Sequence, residues 1–361
     1  MIKLKVLFTL LICFIASNGF SQVVIKPGNK KICYTGRVEV KADSTQFYWP
    51  GTSIKIAFKG TGASVKMKSL KEKADFYAIV DNDADHAFRF QSDSEVRTFT
   101  VAQGLNPGKH TLEIYKLTNS TSKNIFYGFE LEGKASLLKF KDTRTRKIVF
   151  YGNSITAGHG VDVPEGGVDA GTPEQFNNYY TYGAITARHF NAKASIVARS
   201  GIGIMVSWFP EIMPETFGRI DPLDPNSKYD FNVFQPDVVV VNLFQNDSWL
   251  VKLPEHEQFK SRFGTTKPTE DFIVQSYKNF ISSVREKHPQ ASIICALGNM
   301  DATQEGSPWP DYIRKAVGQL EDENIYITIF PYKNTGSHPV RKEQQAMADQ
   351  LIEFIEGHIT W

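Results

Sequence analysis

The spacing of apolar and polar positions changes character about two-fifths of the way along the chain. Up to about residue 133, short stretches alternate apolar and polar at every second position, with turn residues between them. The segments are 37–40, 53–58, 64–67, 76–80, 88–91, 98–102, 111–117 and 126–131. Gly60, Gly62, Asp81-Asn82-Asp83 and Asn106-Pro107-Gly108 punctuate them. Period-2 runs without helical patterning predict half-buried strands, and eight at this spacing predict a β-sandwich of jelly-roll type. Phe47, Tyr48 and Trp49 suit core or interdomain packing better than a sugar platform.

A charged connector over 139–146 introduces a second regime, in which continuous apolar runs alternate with segments of helical period. The runs 148–151, 194–198, 238–243, 292–297 and 325–330 read as strands buried on both faces. Helices are expected around 178–190, 269–287, 310–320 and 341–355. This alternation predicts a doubly wound parallel sheet, so that ligands bind at the carboxyl ends of its strands. The chain is therefore expected to form a β-sandwich over 22–138 followed by an α/β domain over 139–361.

The first 21 residues stand outside this plan. Lys3 and Lys5 precede an apolar run over 6–15, and Gly19-Phe20-Ser21 offers small residues at the cleavage positions of an export signal. The apolar run is too short for a stable membrane span, and no later segment reaches that length. Without the leader, the 41 basic residues fall by two to balance the 39 acidic ones, which argues against a nucleic-acid partner. Cys33 and Cys295 fall in different domains and read as buried free thiols in preference to a disulfide, which an oxidising compartment would also allow. No H-x-x-x-H or C-x-x-C pair indicates a metal site.

Candidate chemistry gathers just after the strands. Ser154, in Gly152-Asn-Ser-Ile-Thr156, falls where a strand gives way to a helix N-terminus, whose free N–H groups favour developing negative charge. A plain N-cap serine would look the same. Arg199-Ser-Gly-Ile-Gly203 lets backbone approach a ligand closely, and Phe244-Gln-Asn-Asp-Ser248 offers the Asn246 amide as an uncharged donor. His338, in Gly336-Ser-His-Pro339, reaches the sheet rim from the far end of the chain. Trp208, Trp249 and Trp309 also follow strand ends, where an indole serves packing as readily as it stacks on a ligand ring, and Trp309 is the candidate ligand contact.

Serine, glycine, asparagine and histidine in that order resemble the blocks of the SGNH (GDSL-type) hydrolases. The whole chain after the leader is similar to carbohydrate esterase family 2, in which a β-sandwich precedes the hydrolase domain. Tyr179-Tyr-Thr-Tyr-Gly-Ala-Ile-Thr-Ala-Arg188, Gln235-Pro-Asp-Val-Val-Val-Val-Asn-Leu243 and the last helix, with Gln344, Met347, Ala348 and Leu351, support the likeness. The resemblance implies an exported esterase, periplasmic or extracellular, that removes O-acetyl groups from plant polysaccharides such as xylan, mannan or glucomannan without a cofactor. It implies Ser154 as nucleophile, His338 as general base, and an oxyanion hole of the Ser154 and Gly201 N–H groups with the Asn246 amide. Two departures stand out: Phe244 replaces the glycine of the G-x-N-D block, and Thr335 and Gly336 occupy the positions of the usual D-x-x-H acid. The expected substitute is a Ser-His dyad with a main-chain carbonyl at the ring, and an acid between Asp301 and Glu305 is the second choice. The missing acid also motivates an alternative, a non-catalytic carbohydrate-binding protein on an esterase scaffold.

Overall fold

The computed structural model describes residues 23–361, so the expected leader lies outside the described residues. Among the described residues, twelve strands precede residue 140. They are β1 (Val23–Ile25), β2 (Cys33–Thr35), β3 (Val38–Val40), β4 (Thr45–Phe47), β5 (Ser53–Gly60), β6 (Gly62–Leu70), β7 (Ala74–Val80), β8 (Phe88–Ser92), β9 (Arg97–Ala102), β10 (Gly108–Lys116), β11 (Lys123–Glu132) and β12 (Ser136–Leu138). All eight expected strands are present. The four that the pattern missed, β1, β2, β4 and β12, have three residues each, too few for alternation to register.

Pairing is nested: β4 with β11, β5 with β10, β6 with β9, and β7 with β8. The nesting rolls the chain into two antiparallel sheets, ordered β3-β4-β11-β6-β9 and β12-β5-β10-β7-β8, with β1 and β2 added at β11 and β5. That is a jelly roll. Ile54, Ile56 and Phe58 of β5 meet Val65, Met67, Phe126 and Phe129 of the other sheet in one core. A bulge between Phe126 and Gly128 shifts the phase by one residue, which explains how Phe126 and Phe129 face the same way although three positions apart.

The second half forms one parallel sheet from β13 (Lys147–Gly152), β14 (Lys193–Ala198), β15 (Val238–Asn242), β16 (Ser292–Leu297) and β17 (Ile325–Ile329), in the order β14-β13-β15-β16-β17. Its helices are α1 (Ser154–Ala157), α2 (Tyr182–His189), α3 (Met213–Thr216), α4 (Gln245–Leu250), α5 (Glu257–Phe263), α6 (Glu270–Lys287), α7 (Trp309–Gly318) and α8 (Arg341–His358). In β15, Val238 and Val240 pack with α2 and α8, while Val239 and Val241 pack with α6 and α7. Burial on both faces is the reason the strand sequence is unbroken valine. The chain crosses from β14 on one side of β13 to β15 on the other, so the switch point lies at the carboxyl end of β13, immediately before Ser154.

The two halves share buried polar contacts. The Arg37 guanidinium, fully buried, donates to Phe217 O (2.6 Å) and Arg219 O (2.8 Å). Trp49 enters the hydrolase-side core. Arg89 of β8 donates to the Asp162 carboxylate (2.8 Å) and to Pro173 O (3.1 Å) and Phe176 O (3.0 Å), gripping both ends of the loop that follows α1. Cys33 and Cys295 are both free, Cys295 buried and Cys33 only partly so.

Candidate active site

A side chain at Gly152 would place its Cβ 2.0 Å from Thr156 Oγ1, so only glycine permits the turn from β13 into α1. The cap of α1 is Asn153, not Ser154: its Oδ1 accepts the Ile155 N–H at 3.0 Å. This disposes of the N-cap alternative and leaves the Ser154 hydroxyl with no hydrogen bond among the described residues. Ser154 is thus the first residue of a helix, beside N–H groups that helical bonding does not use.

Arg199 N–H donates to Gly152 O at 3.3 Å, which brings the loop after β14 against the nucleophile turn. Gly201 has φ +85° and its N–H takes no partner among the described residues. The Asn246 amide donates one N–H to Ile202 O (2.8 Å) and accepts the Trp208 indole N–H on its oxygen (3.1 Å). Both contacts fix the amide's orientation, and the second N–H remains for a ligand. Ser154, Gly201 and Asn246 therefore meet at one rim.

Asp247, the next residue, lies fully buried and accepts the N–H groups of Ile204, Met205 and Val206 at 2.7–3.2 Å. It holds the loop carrying Gly201. Burial pushes its carboxyl up to about 6, against the pull of these hydrogen bonds. Phe244 adopts the left-handed conformation, φ +85°, which explains why glycine is the ordinary residue there. Its ring is buried against Tyr277 (4.8 Å) and Trp309 (5.0 Å), so it fills the core and does not narrow the site.

His338 departs from expectation. Its Nδ1 lies 2.6 Å from Asp169 Oδ2, and the same oxygen accepts the His338 N–H at 3.1 Å. A carboxylate, not a main-chain carbonyl, therefore holds the ring. Asp169 comes from the loop after α1, 169 positions away in sequence, and no local D-x-x-H spacing reveals it. The segment Gly167-Val-Asp-Ala-Gly171 offered the only signal, an acid among glycines shortly after the nucleophile. The second choice, an acid between Asp301 and Glu305, does not hold the ring either: the carboxylate at His338 is Asp169, and Asp301 instead accepts from the Trp249 indole (2.7 and 2.8 Å) and the Gln245 amide (2.7 Å).

The bond to Asp169 places a proton on His338 Nδ1 and leaves Nε2 as the acceptor, the tautomer a general base needs. No hydrogen bond joins His338 to Ser154 in this structure. Catalytic contacts commonly tighten only with substrate bound. His159 stacks on His338 with centroids 3.9 Å apart, and its Nε2 lies 3.1 Å from Asp169 Oδ1. The hydrogen bond from His338 holds Asp169 well below the usual carboxylate range. Burial, with His338 alongside, pushes His159 down to about 4, so it is neutral near pH 7.

His159, Asp169 and His338 present three potential ligand atoms within 4.8 Å of one another. Trp309 is not a sugar contact: it is 3% exposed and packs between Phe244 and Tyr312. Trp208, 42% exposed beside Asn246, is the indole that reaches the surface here.

Residues 34–140 match the family described as Carbohydrate esterase 2 N-terminal, and residues 150–343 match the GDSL-like Lipase/Acylhydrolase family. A family two carbohydrate esterase from Clostridium thermocellum, solved in complex with cellohexaose, is 31% identical with a TM-score of 0.79, covering 90% of this chain and 98% of that one. The chain belongs to the family 2 carbohydrate esterases. Among relatives of this esterase family, the cellulase/esterase CelE of Acetivibrio thermocellus is 31% identical over 92% of the chain, which spans only 40% of CelE's length. An acetylxylan esterase / glucomannan deacetylase of Cellvibrio japonicus is 23% identical, with 94% of this chain and 92% of the relative covered. The acid whose absence motivated a non-catalytic reading of this esterase scaffold is supplied in space by Asp169.

Proposed function

We propose that the chain is an exported carbohydrate O-acetylesterase that removes acetyl groups from plant polysaccharides such as xylan, mannan or glucomannan. The observation that carries this reading is an uncommitted serine at a helix N-terminus, whose carbonyl accepts the N–H of His159, with His338 stacked on that His159 and its tautomer set by the half-buried Asp169 carboxylate. The cellohexaose bound to the Clostridium relative supports a carbohydrate substrate. We place the leader at 1–21, the sandwich at 22–138 and the hydrolase unit at 139–361.

In the proposed reaction His338 Nε2 accepts the Ser154 proton as Ser154 Oγ bonds to the acetyl carbonyl carbon. The negative oxygen is held by the Ser154 and Gly201 N–H groups and the free N–H of Asn246. The carbon–oxygen bond to the sugar then breaks, and the sugar oxygen takes the proton from His338. Water, deprotonated by His338, attacks the acetyl carbon, the bond to Ser154 Oγ breaks as that oxygen takes the proton back from His338, and acetate leaves. Asp169 stabilises the imidazolium in both steps.

Hydrolysis of 4-nitrophenyl acetate by the purified protein, lost in Ser154→Ala, is the expected result. Absence of turnover in the unmodified protein refutes the proposal. A panel of acetylated xylan, mannan and glucomannan, read by NMR for the position deacetylated, identifies the substrate.

A further inference from the structure

A cavity of about 390 Å³ lies where the sandwich meets the hydrolase unit, within the roughly 300–1,000 Å³ of small-molecule pockets. Glu72, Thr118 and Asn119 line it from the sandwich, and His159, Phe176 and Ser200 from the other side. Three of these residues carry buried polar atoms without a hydrogen-bond partner among the described residues: Thr118 Oγ1, His159 Nδ1 and Ser200 Oγ. Thr118 is only 4% exposed. Buried polar groups are nearly always satisfied, so three orphans around one cavity call for an occupant with several hydrogen-bonding groups of its own.

The cavity is also built to stay open. The fully buried Lys116 donates from its Nζ to Thr118 O (2.8 Å) and to Asn119 O. Asn119 Oδ1 in turn accepts the Ser200 N–H at 3.1 Å, tying the sandwich loop to the residue before Gly201. His159, on the opposite wall, stacks on both Phe176 (4.5 Å) and His338 (3.9 Å). An occupant therefore sits between Ser200, the residue before Gly201, and His159, which carries His338 on its other side.

We propose that this interdomain cavity is a subsite for one neutral pyranose of the polysaccharide, the unit next to the acetylated sugar. Its hydroxyls satisfy Thr118, Ser200 and His159, the Glu72 carboxylate accepts at the mouth, and Phe176 supplies an apolar face. The sandwich is then part of the substrate site. This proposal rests on the esterase reading but makes a separate prediction.

The test compares kcat/KM for mono-acetylated xylotetraose and mannotetraose with kcat/KM for 4-nitrophenyl acetate. Thr118→Val, which removes one neutral hydrogen bond with little change of shape, lowers that ratio about three- to tenfold for the better oligosaccharide. Glu72→Ala, an exposed change that leaves the fold out of question, lowers it in the same direction. Titration calorimetry with unacetylated tetraoses on the Ser154→Ala protein shows the same weakening when either change is added. A ratio and Kd unchanged in both variants overturn the subsite. Tetraose binding that depends on Thr118, in a protein that hydrolyses no acetyl ester, upholds the subsite and refutes the esterase reading.

Discussion

Replacing Asp169 tests the relocated acid directly. In Asp169→Asn the amide oxygen still accepts the His338 Nδ1 proton, so the ring keeps its orientation and loses only the negative charge. The present contact of 2.6 Å is shorter than an ordinary N–H···O bond, as charge assistance shortens such contacts. A carboxylate and an imidazolium ~4 Å apart interact by about 4 kcal/mol at an effective dielectric constant of 20, which bounds the loss at about 10³ in rate. A charged hydrogen bond reduced to a neutral one gives a floor of about 1.5 kcal/mol, near tenfold. His159 does not compensate, because it is neutral near pH 7. If the nitrogen of the new amide rather than its oxygen met the ring, the wrong tautomer would raise the loss toward the roughly 10⁴ that an Asp-to-Asn change costs a serine-protease triad, and Asp169→Ala, which leaves the ring unheld, is expected in that range. The assay is kcat for 4-nitrophenyl acetate near pH 7.5, with a thermal melt of each variant as the folding control. The expected order is native, then Asn, then Ala, with KM little changed. An Asp169→Ala protein that melts normally and keeps kcat within about twofold refutes the triad. Asp301→Ala is the companion variant: its carboxylate holds Trp249 and Gln245, so it should lower the melting temperature more than kcat.

Asn246→Ala should lower kcat by about 10² to 10³ with KM little altered, because the second amide N–H acts on charge that exists mainly in the transition state. Trp208→Phe removes the indole N–H that orients that amide, and steady-state kinetics should show a smaller fall in the same parameter. Against the opposing effect of burial, hydrogen bonds from Arg144 hold Asp142 below the ordinary carboxylate range. A depressed carboxylate contributes stability above its unfolded pKa, near 3.9, and loses it as pH falls further. Melting temperatures between pH about 4 and 2 should therefore fall less steeply in Asp142→Asn, and equal slopes would contradict this.

The sequence by itself determined the two architectures and four of the catalytic candidates. Alternation at period 2 exposes a half-buried strand, and an unbroken run such as Val238–Val241 exposes a strand covered on both sides, so β5 to β11 and all five parallel strands were legible. Ser154, Gly201, Asn246 and His338 were legible because a parallel sheet puts its chemistry just after each strand. Of the five three-residue strands in the sandwich only β3 carried enough pattern to be seen, and α4 and α5 lie in loops whose helicity comes from packing. The partner of His338 depended wholly on tertiary structure. Nothing local selects Asp169 over other acids until Arg89 of the sandwich grips Asp162, Pro173 and Phe176 and brings the loop between them to the histidine. The destination of each indole was decided the same way. Trp208 and Trp309 both follow strand ends, and only the packing of Phe244 and Tyr312 buries one while the other stays at the surface beside Asn246.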